Sequence, residues 1–330
     1  MGKKRPVIIL ILAFIWLFMT GCQPITFAKI PDGASILAVL NAREQTVSFL
    51  NAENGKSIAT WKPDFMFSRM LLMNSHTVLL YGKNAEDVHM LDMRTGKQTG
   101  VWKTGKGIVN ATLSISSDKI YFADKLRGTV RIYTTAGQQR DEIKVGPSPF
   151  TMLEDKTHDT LYVMDLQDAR MREVDLATSR VVRTFRLNES PMGGLLAADR
   201  GELWIGGHGR GDFPEEEVSV FSSKTGQKLR NVHAPFMPVE FVRYNKDTLF
   251  VLSHGSNTLR RIAMDTGQST GELALGANPF GMVSNGRLLY ITSYESNQIY
   301  MVDPETMRTL KTLRAGDGPI QMFVREGDGQ

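Results

Sequence analysis

The sequence predicts an all-β fold, a seven-bladed β-propeller with four antiparallel strands in each blade. One observation is a turn that recurs at a nearly constant spacing, and its clearest copy reads Asp-Met-Arg-Thr-Gly-Lys over residues 92–97. The glycine position of this turn recurs at residues 55, 96, 137, 179, 226, 267 and 307, at spacings of 41, 41, 42, 47, 41 and 40 residues. The other observation is that short apolar runs surround every copy. A repeat of about 42 residues has the size of a four-stranded propeller blade.

Four strands can be placed in each unit, in chain order. An innermost strand rich in small residues often begins at a proline, as at Pro149, Pro191, Pro279 and Pro319. Two runs such as 161–163 and 130–133 predict the second and third strands, and a run such as 181–185 predicts the fourth. Valine, isoleucine, tyrosine and phenylalanine in short runs between turn residues are typical of strands.

The turn between the third and fourth strands has a physical basis. Asp, Asn or Ser can accept a hydrogen bond from the turn backbone, and glycine supplies the positive φ that a short hairpin needs. Ser179 and Met307 replace the glycine. We therefore expect these two turns to adopt another geometry.

The strand count predicts how the ring closes. Blade one has only its last three strands, over about residues 35–61, and one extra innermost strand follows at residues 319–325. Pairing of that C-terminal strand with the first blade would seal the ring and remove an exposed edge. The propeller is thus expected to span residues 35–325 as one domain, with a tail at 326–330.

Three recurring elements carry a family resemblance. They are G-x-x-P, an L-Y-V-like run and a D-x-x-T-G-like turn, which recur with variation from Ser35 to Arg325. The chain resembles the YVTN/NHL-type propellers of bacteria and archaea. The resemblance implies the architecture and leaves the function open, since similar propellers include lyases, lactonases and parts of periplasmic redox enzymes.

The N-terminus predicts export. Lys3, Lys4 and Arg5 precede thirteen unbroken apolar residues at 7–19, fewer than the roughly 20 of a spanning helix. Met-Thr-Gly-Cys follows at 19–22, and the stretch resembles a bacterial lipoprotein signal. This resemblance implies cleavage of residues 1–21 and lipidation of Cys22, with residues 22–34 as a tether. An uncleaved N-terminal anchor with an incidental cysteine is the alternative. Both place the propeller at the extracytoplasmic face of the cell membrane, or facing the periplasm.

Charge and cysteine content exclude several classes. The chain has 39 basic and 35 acidic residues, and removing the three basic residues that precede Cys22 leaves 36 against 35. This net charge near zero does not predict a nucleic-acid partner. A single cysteine excludes a disulfide framework and a C-x-x-C zinc site. No P-loop, dinucleotide fingerprint, G-x-S-x-G or haem motif is present, so no cofactor is predicted.

Polar loops between the second and third strands form the predicted binding face. In four-stranded blades these loops share a face with the loops that lead into the innermost strands. The loop of blade five is the longest and accounts for the 47-residue spacing. The candidate binding residues on three adjacent blades are Lys125, Arg127, Asp168, Arg170, His208, Arg210 and Asp212.

Two histidines form the catalytic hypothesis. His208 and His254 occupy equivalent loops of adjacent blades, and with Glu295 on the next blade they would resemble a general-base or metal site. None of the six histidines has a metal-ligand spacing, so no metal is predicted. Methionines expected on innermost strands favour core packing over a copper site; they are Met66, Met70, Met152, Met282 and Met322.

Two functions remain. The first is a membrane-anchored, non-catalytic binding or scaffold module whose loop face meets a protein or another envelope component. The alternative is a propeller enzyme of lyase or lactonase type, with its site at the top of the central channel. A partner in electron transfer is a third, less specific hypothesis.

Overall fold

The computed structural model describes residues 26–327. This part of the chain forms seven four-stranded antiparallel sheets, which confirms the predicted seven-bladed propeller. Residues 1–21, the lipidation candidate Cys22, the first part of the tether and residues 328–330 of the tail lie outside the described range. No helix within that range is long and apolar enough to cross a bilayer.

Each blade is a simple up-and-down sheet whose strands follow one another in the chain, except that blade one takes its innermost strand from the C-terminal end. The innermost strands, from blade one to blade seven, are β30 (Pro319–Arg325), β4 (Arg69–Leu72), β8 (Ile108–Leu113), β12 (Pro149–Asp155), β16 (Pro191–Ala197), β22 (Pro238–Arg243) and β26 (Pro279–Ser284). The second strands are β1 (Ile36–Asn41), β5 (Thr77–Tyr81), β9 (Lys119–Asp124), β13 (Thr160–Asp165), β17 (Glu202–Gly207), β23 (Thr248–Ser253) and β27 (Leu289–Ser293). The third strands are β2 (Thr46–Asn51), β6 (Asp87–Asp92), β10 (Thr129–Thr134), β14 (Arg170–Asp175), β20 (Glu217–Ser222), β24 (Thr258–Ala263) and β28 (Gln298–Asp303). The outermost strands are β3 (Ser57–Trp61), β7 (Lys97–Lys103), β11 (Gln139–Lys144), β15 (Arg180–Arg186), β21 (Lys228–His233), β25 (Ser269–Ala274) and β29 (Arg308–Arg314).

Three short elements complete the chain. Strands β18 (Gly209–Arg210) and β19 (Phe213–Pro214) form a small hairpin in the long loop of blade five. Single 3-10 turns lie at Lys156–His158 and Ala198–Arg200.

The C-terminal strand closes the ring as predicted. Strand β30 pairs antiparallel with β1, from Ile36 opposite Arg325 to Asn41 opposite Pro319. The seam to blade two is closed by Gln321, whose side-chain amide accepts from the Met70 N–H and donates to the Met70 carbonyl, both at 2.9 Å. The first and last strands of the propeller are thus joined in one sheet, and β1 has a partner strand on both sides.

The apolar core lies between neighbouring blades. One cluster joins Phe49 and Trp61 of blade one to Leu91 of blade two, and another joins Trp204 of blade five to Leu249 of blade six. Second strands are the most deeply buried; every residue of β1, β13 and β17 is buried. Of the five methionines expected on innermost strands, Met70, Met152, Met282 and Met322 are buried. Met66 is not on a strand: it precedes β4 and is 62% exposed, because that strand begins only at Arg69.

The residue at the glycine position has a left-handed backbone in all seven recurring turns. Asp175 accepts the Thr178 N–H at 2.8 Å, and this backbone hydrogen bond holds the pKa of Asp175 below its usual value. All seven residues at the glycine position have φ between 54° and 83°, including Ser179 at 56° and Met307 at 54°. The expectation of another geometry for these two turns was therefore wrong. The turn hydrogen bond, from Met307 N–H to the Asp303 carbonyl at 3.0 Å, holds the residue in the left-handed region despite its side chain.

Part of the predicted tether packs against blade two. The Phe27 N–H donates to the Gly96 carbonyl at 2.7 Å, and the Ile30 N–H donates to the Met93 carbonyl at 2.8 Å. Ile30 is 1% exposed, and the Trp61 indole donates to the Ala28 carbonyl at 2.8 Å. Residues from Thr26 onward are consequently held on the propeller, next to the turn between β6 and β7.

Candidate functional site

The propeller has two distinct faces. Loops after the second strands hydrogen-bond to the loops that lead into innermost strands, as when the His208 N–H donates to the Ser190 carbonyl and the His254 N–H donates to the Met237 carbonyl, both at 3.0 Å. Lys125, Leu166 and Tyr294 make the same kind of bond in their blades. We call this side the loop face. The opposite side carries the recurring turns, and we call it the turn face.

The candidates on blades three and four lie on the loop face. Lys125 is exposed, and the exposed Arg127 guanidinium lies 3.4 Å from the buried Asp124 carboxylate. The Asp168 carboxylate is bound by Arg172, which removes its charge from the free surface, whereas Arg170 is exposed. These loops therefore offer exposed cationic groups.

The long loop of blade five projects as a hairpin from the same face. His208 lies at its base, where its carbonyl accepts the Glu215 N–H at 3.0 Å. Arg210 is 3.7 Å from Glu189 but 78% exposed, and Asp212 is also exposed. Phe213 has the highest exposure among the large hydrophobic residues of the described chain, with 79% of its surface open to solvent. A large aromatic side chain at a loop tip is characteristic of a contact surface rather than a core.

His208 and His254 meet on the loop face. Their rings are perpendicular, with centroids 5.5 Å apart. Burial lowers the pKa of both imidazoles, and the charge of His208 lowers the pKa of His254 further. Nδ1 of His254 is buried and makes no hydrogen bond of normal geometry within the described chain. Two neutral imidazoles therefore stand side by side at neutral pH.

Glu295 does not join this pair. Its carboxylate accepts from the Arg43 guanidinium at 2.7 and 2.8 Å, and that guanidinium lies 4.3 Å from the centre of the Tyr294 ring. The row of rings from His254 continues instead through Phe280 at 5.6 Å. Over residues 26–327, no three His, Cys, Asp or Glu side chains are grouped in a way that could hold a metal ion. The structure brings two of the three catalytic candidates together and gives the third another partner.

The central channel contains a site that the sequence analysis did not identify. Six of the seven innermost strands have a β-bulge or another register irregularity near their first residues. These strands surround a cavity of about 250 Å³, with Phe280 in its wall and therefore beside the histidine pair. One equivalent position from every blade lines it, and we call this set the channel ring: Arg69, Asn110, Thr151, Gly193, Glu240, Gly281 and Gln321.

The residues at five positions of the channel ring make contacts between neighbouring blades. Asn110 donates to the Phe150 carbonyl at 3.0 Å and Thr151 donates to the Met192 carbonyl, each on the next blade. Gln321 bridges to blade two as described above. At Gly193 and Gly281 the neighbouring strand comes so close that a Cβ would stand 2.2 Å and 2.7 Å from a backbone carbonyl oxygen. These residues hold blades together and are not available to a ligand.

Arg69 and Glu240 are the two charged members of the ring. They belong to blades two and six, on opposite sides of the channel, and form no ion pair with each other. Burial raises the pKa of the Glu240 carboxyl to about 8, against the opposing influence of the Arg69 charge. Both side chains still face the channel cavity. An alignment of the repeats could have found them, because Arg69 lies opposite Tyr81 and Glu240 opposite Leu252, equivalent positions at the ends of second strands.

The class that the fold defines is a seven-bladed propeller with a polar channel and a protruding loop face. No protein-family model matches the chain, and no curated protein matches its sequence. The resemblance to YVTN/NHL propellers and to lipoprotein signals therefore stays a prediction.

Solved structures match the fold at low sequence identity. Apo AztD from Citrobacter koseri is 12% identical with a TM-score of 0.62, covering 90% of this chain and 99% of AztD. A functionally unknown protein from Desulfotomaculum acetoxidans is 10% identical with a TM-score of 0.72, covering 89% and 99%. A candidate 6-phosphogluconolactonase from Bacteroides fragilis is 13% identical with a TM-score of 0.70, covering 90% and 99%. These likenesses show the fold alone, since propellers host unrelated functions.

Proposed function

We propose that the protein is a membrane-anchored, extracytoplasmic propeller lipoprotein that acts as a non-catalytic binding or scaffold module through its loop face. The observation that carries this proposal is the blade-five hairpin, which exposes 79% of Phe213. Phe236, in the loop that leads into blade six, is 41% exposed, and the adjacent Met237 N–H donates to the Glu215 carbonyl beside the hairpin. Exposed aromatic side chains with charged neighbours are the usual anchors of protein–protein contacts.

The predicted lipid anchor determines how the loop face is oriented relative to the membrane. Three residues separate Cys22 from Thr26, and an extended chain covers at most about 3.6 Å per residue, so the lipid would attach within roughly 15 Å of Thr26. Thr26 pairs with Lys97, directly after a recurring turn, and so lies on the turn face. With Cys22 lipidated, the turn face lies towards the membrane and the loop face points away from it. The hairpin is then presented to partners in the envelope.

Crosslinking in intact cells tests the contact. A photoreactive phenylalanine analogue at position 213 should crosslink to a partner, and Phe213→Ser should reduce co-purification of the same partner by about tenfold. The matched control is Leu310→Ser on outermost strand β29, where the side chain is 60% exposed but distant from the loop face. Equal losses for both variants, or no crosslink at 213, would contradict the proposal.

Replacement of the hairpin is a second, sharper variant. Exchanging residues 209–214 for a Gly-Asn turn removes Phe213 but keeps Glu215, whose carboxylate accepts from the Asn188 amide at 2.7 Å. The propeller should fold normally, and the partner should no longer co-purify with it.

A separate variant tests the anchor. Cys22→Ser should move the protein from the membrane to the soluble fraction and abolish labelling with a fatty-acid analogue.

The enzyme alternative rests on a different observation. The neutral His208 and His254 pair stands beside Phe280 at the channel wall, where an imidazole could act as a general base. Incubation with lactones and cyclic depsipeptides, with and without divalent metal, tests it. Turnover that is lost in His254→Ala but kept in His233→Ala, an exposed histidine on β21, would favour a lyase or lactonase over the binding module.

A further inference from the structure

We infer that the central channel contains a binding site for a small monoanionic organic carboxylate, which the Arg69 guanidinium holds at one end and the Glu240 side chain contacts at the other. This site is independent of the loop-face contact proposed above, because it lies inside the ring of innermost strands and uses none of the hairpin residues.

The first argument is that Arg69 is uncommitted, while the Glu240 carboxyl has a hydrogen bond only to the backbone N–H of its neighbour Phe241 and none across a blade seam. Every other position of the channel ring is a glycine or is hydrogen-bonded across a blade seam. Arg69 makes no hydrogen bond or ion pair within residues 26–327, and its guanidinium lies 5.4 Å from the centre of the Phe150 ring. An arginine that faces a cavity with all its donors free is costly to retain unless those donors meet water or an anion.

The second argument is charge balance. Below about pH 8 Glu240 is neutral, because burial raises the pKa of its carboxyl, so the ring carries a single positive charge at Arg69. One carboxylate neutralises that charge, and the planar guanidinium can donate two parallel hydrogen bonds to it. The protonated Glu240 can donate to a carbonyl or hydroxyl oxygen at the far end of the same molecule. A dianion such as sulfate would leave one negative charge without a partner.

The third argument is the shape and polarity of the walls. The apolar side chains of Phe150, Met192, Phe241, Phe280 and Ile320 share the lining of the cavity with the polar residues of the channel ring. Its volume of about 250 Å³ is somewhat below the roughly 300–1,000 Å³ of pockets for drug-sized ligands. The walls therefore suit a compact molecule that combines one aromatic ring with a polar group.

Binding of benzoate to the purified propeller tests the inference. Ligand-detected NMR and calorimetry at pH 7 should show benzoate bound at least tenfold more tightly than the neutral benzamide and than inorganic phosphate. Arg69→Gln should weaken benzoate binding by at least tenfold, and Arg69→Lys, which keeps the charge but not the planar fork, by about threefold. Arg140→Gln on outermost strand β11, an exposed position, is the control and should bind as the wild type does.

The pH dependence of benzoate affinity in the wild type is a second measurement, and it does not require that the Arg69 variants fold. Wild-type affinity for benzoate should fall by at least fivefold between pH 7 and pH 9, as Glu240 ionises beside the bound anion. Glu240→Gln, which stays neutral, should keep its affinity over that range. Equal binding of benzoate and benzamide by the wild type, or a benzoate affinity that Arg69→Gln leaves unchanged, would overturn the inference, and so would a flat wild-type profile.

Discussion

Glu240→Gln should make the propeller more stable at alkaline pH. Glu240 lies in the channel ring, and burial raises the pKa of its carboxyl from the usual 4.5 to about 8. The folded protein thus holds a proton that the unfolded chain releases, over the interval between these two pH values. The contribution of Glu240 to the free energy of unfolding is greatest below pH 4.5, falls as the pH rises, and levels off above about pH 8. Glutamine keeps the shape and the polarity of the protonated acid but cannot ionise.

The size of the effect follows from linkage. Each pH unit inside the interval changes the free energy of unfolding by at most about 1.4 kcal/mol, which limits the total to about 5 kcal/mol. The channel cavity admits water, and Arg69 attracts the ionised form, so part of the charge is solvated. We therefore expect the free energy of unfolding of Glu240→Gln to exceed that of the wild type by about 2 kcal/mol at pH 8.5, and to differ little from it at pH 5.

Urea unfolding followed by tryptophan fluorescence from pH 5 to pH 9 measures this difference directly. Glu216→Gln on the loop face is the matched control, since its carboxyl is exposed and should give no pH-dependent difference. A constant offset between Glu240→Gln and wild type across the whole range would refute the reasoning. It would mean that Glu240 is ionised in the folded channel at neutral pH.

Two pairs of variants test the backbone geometry of the turns. Ser179→Gly should raise the free energy of unfolding by about 0.5–1 kcal/mol because glycine relieves the left-handed backbone, whereas Met307→Gly should lower it by about 1–2 kcal/mol because the 8% exposed methionine side chain is lost from the core. Chemical denaturation measures both, and the same sign in both would contradict the explanation. Gly96→Ala should displace the N-terminal segment, since a Cβ there would stand 2.0 Å from the Phe27 carbonyl oxygen. Gly286→Ala, also at positive φ but with open space around it, is the control, and equal proteolysis of residues 26–31 in both variants would exclude a specific contact.

The sequence predicted the fold because each blade is built from local patterns. The recurring turns, the strand runs and the extra strand at residues 319–325 are all visible within one period, and propellers pair strands that are neighbours in the chain. The same locality explains the error at Ser179 and Met307. Residue preferences predict a turn's geometry one residue at a time, whereas the hydrogen bonds within the turns, from the Thr178 N–H to the Asp175 carboxylate and from the Met307 N–H to the Asp303 carbonyl, support the φ that glycine adopts elsewhere.

The candidate site was predicted only in part. Equivalent loops of adjacent blades must lie side by side, so the approach of His208 and His254 followed from the repeat. The position of Glu295 did not follow, because Arg43 comes from the other end of the chain and reaches it only once the ring is closed.

By itself, the sequence determined the number of blades, the strands within them, the closure of the ring and the face on which the variable loops lie. Only the tertiary structure decided which residues share the channel. Arg69 and Glu240 come from separate repeats that no local pattern connects, and closing the ring brings the same position of every blade to one axis. A polar side chain of the channel ring can join two blades only where a backbone carbonyl of the neighbouring blade lies within hydrogen-bonding distance. Where none does, the side chain faces the cavity. The charge balance of the channel is therefore a property of the closed ring.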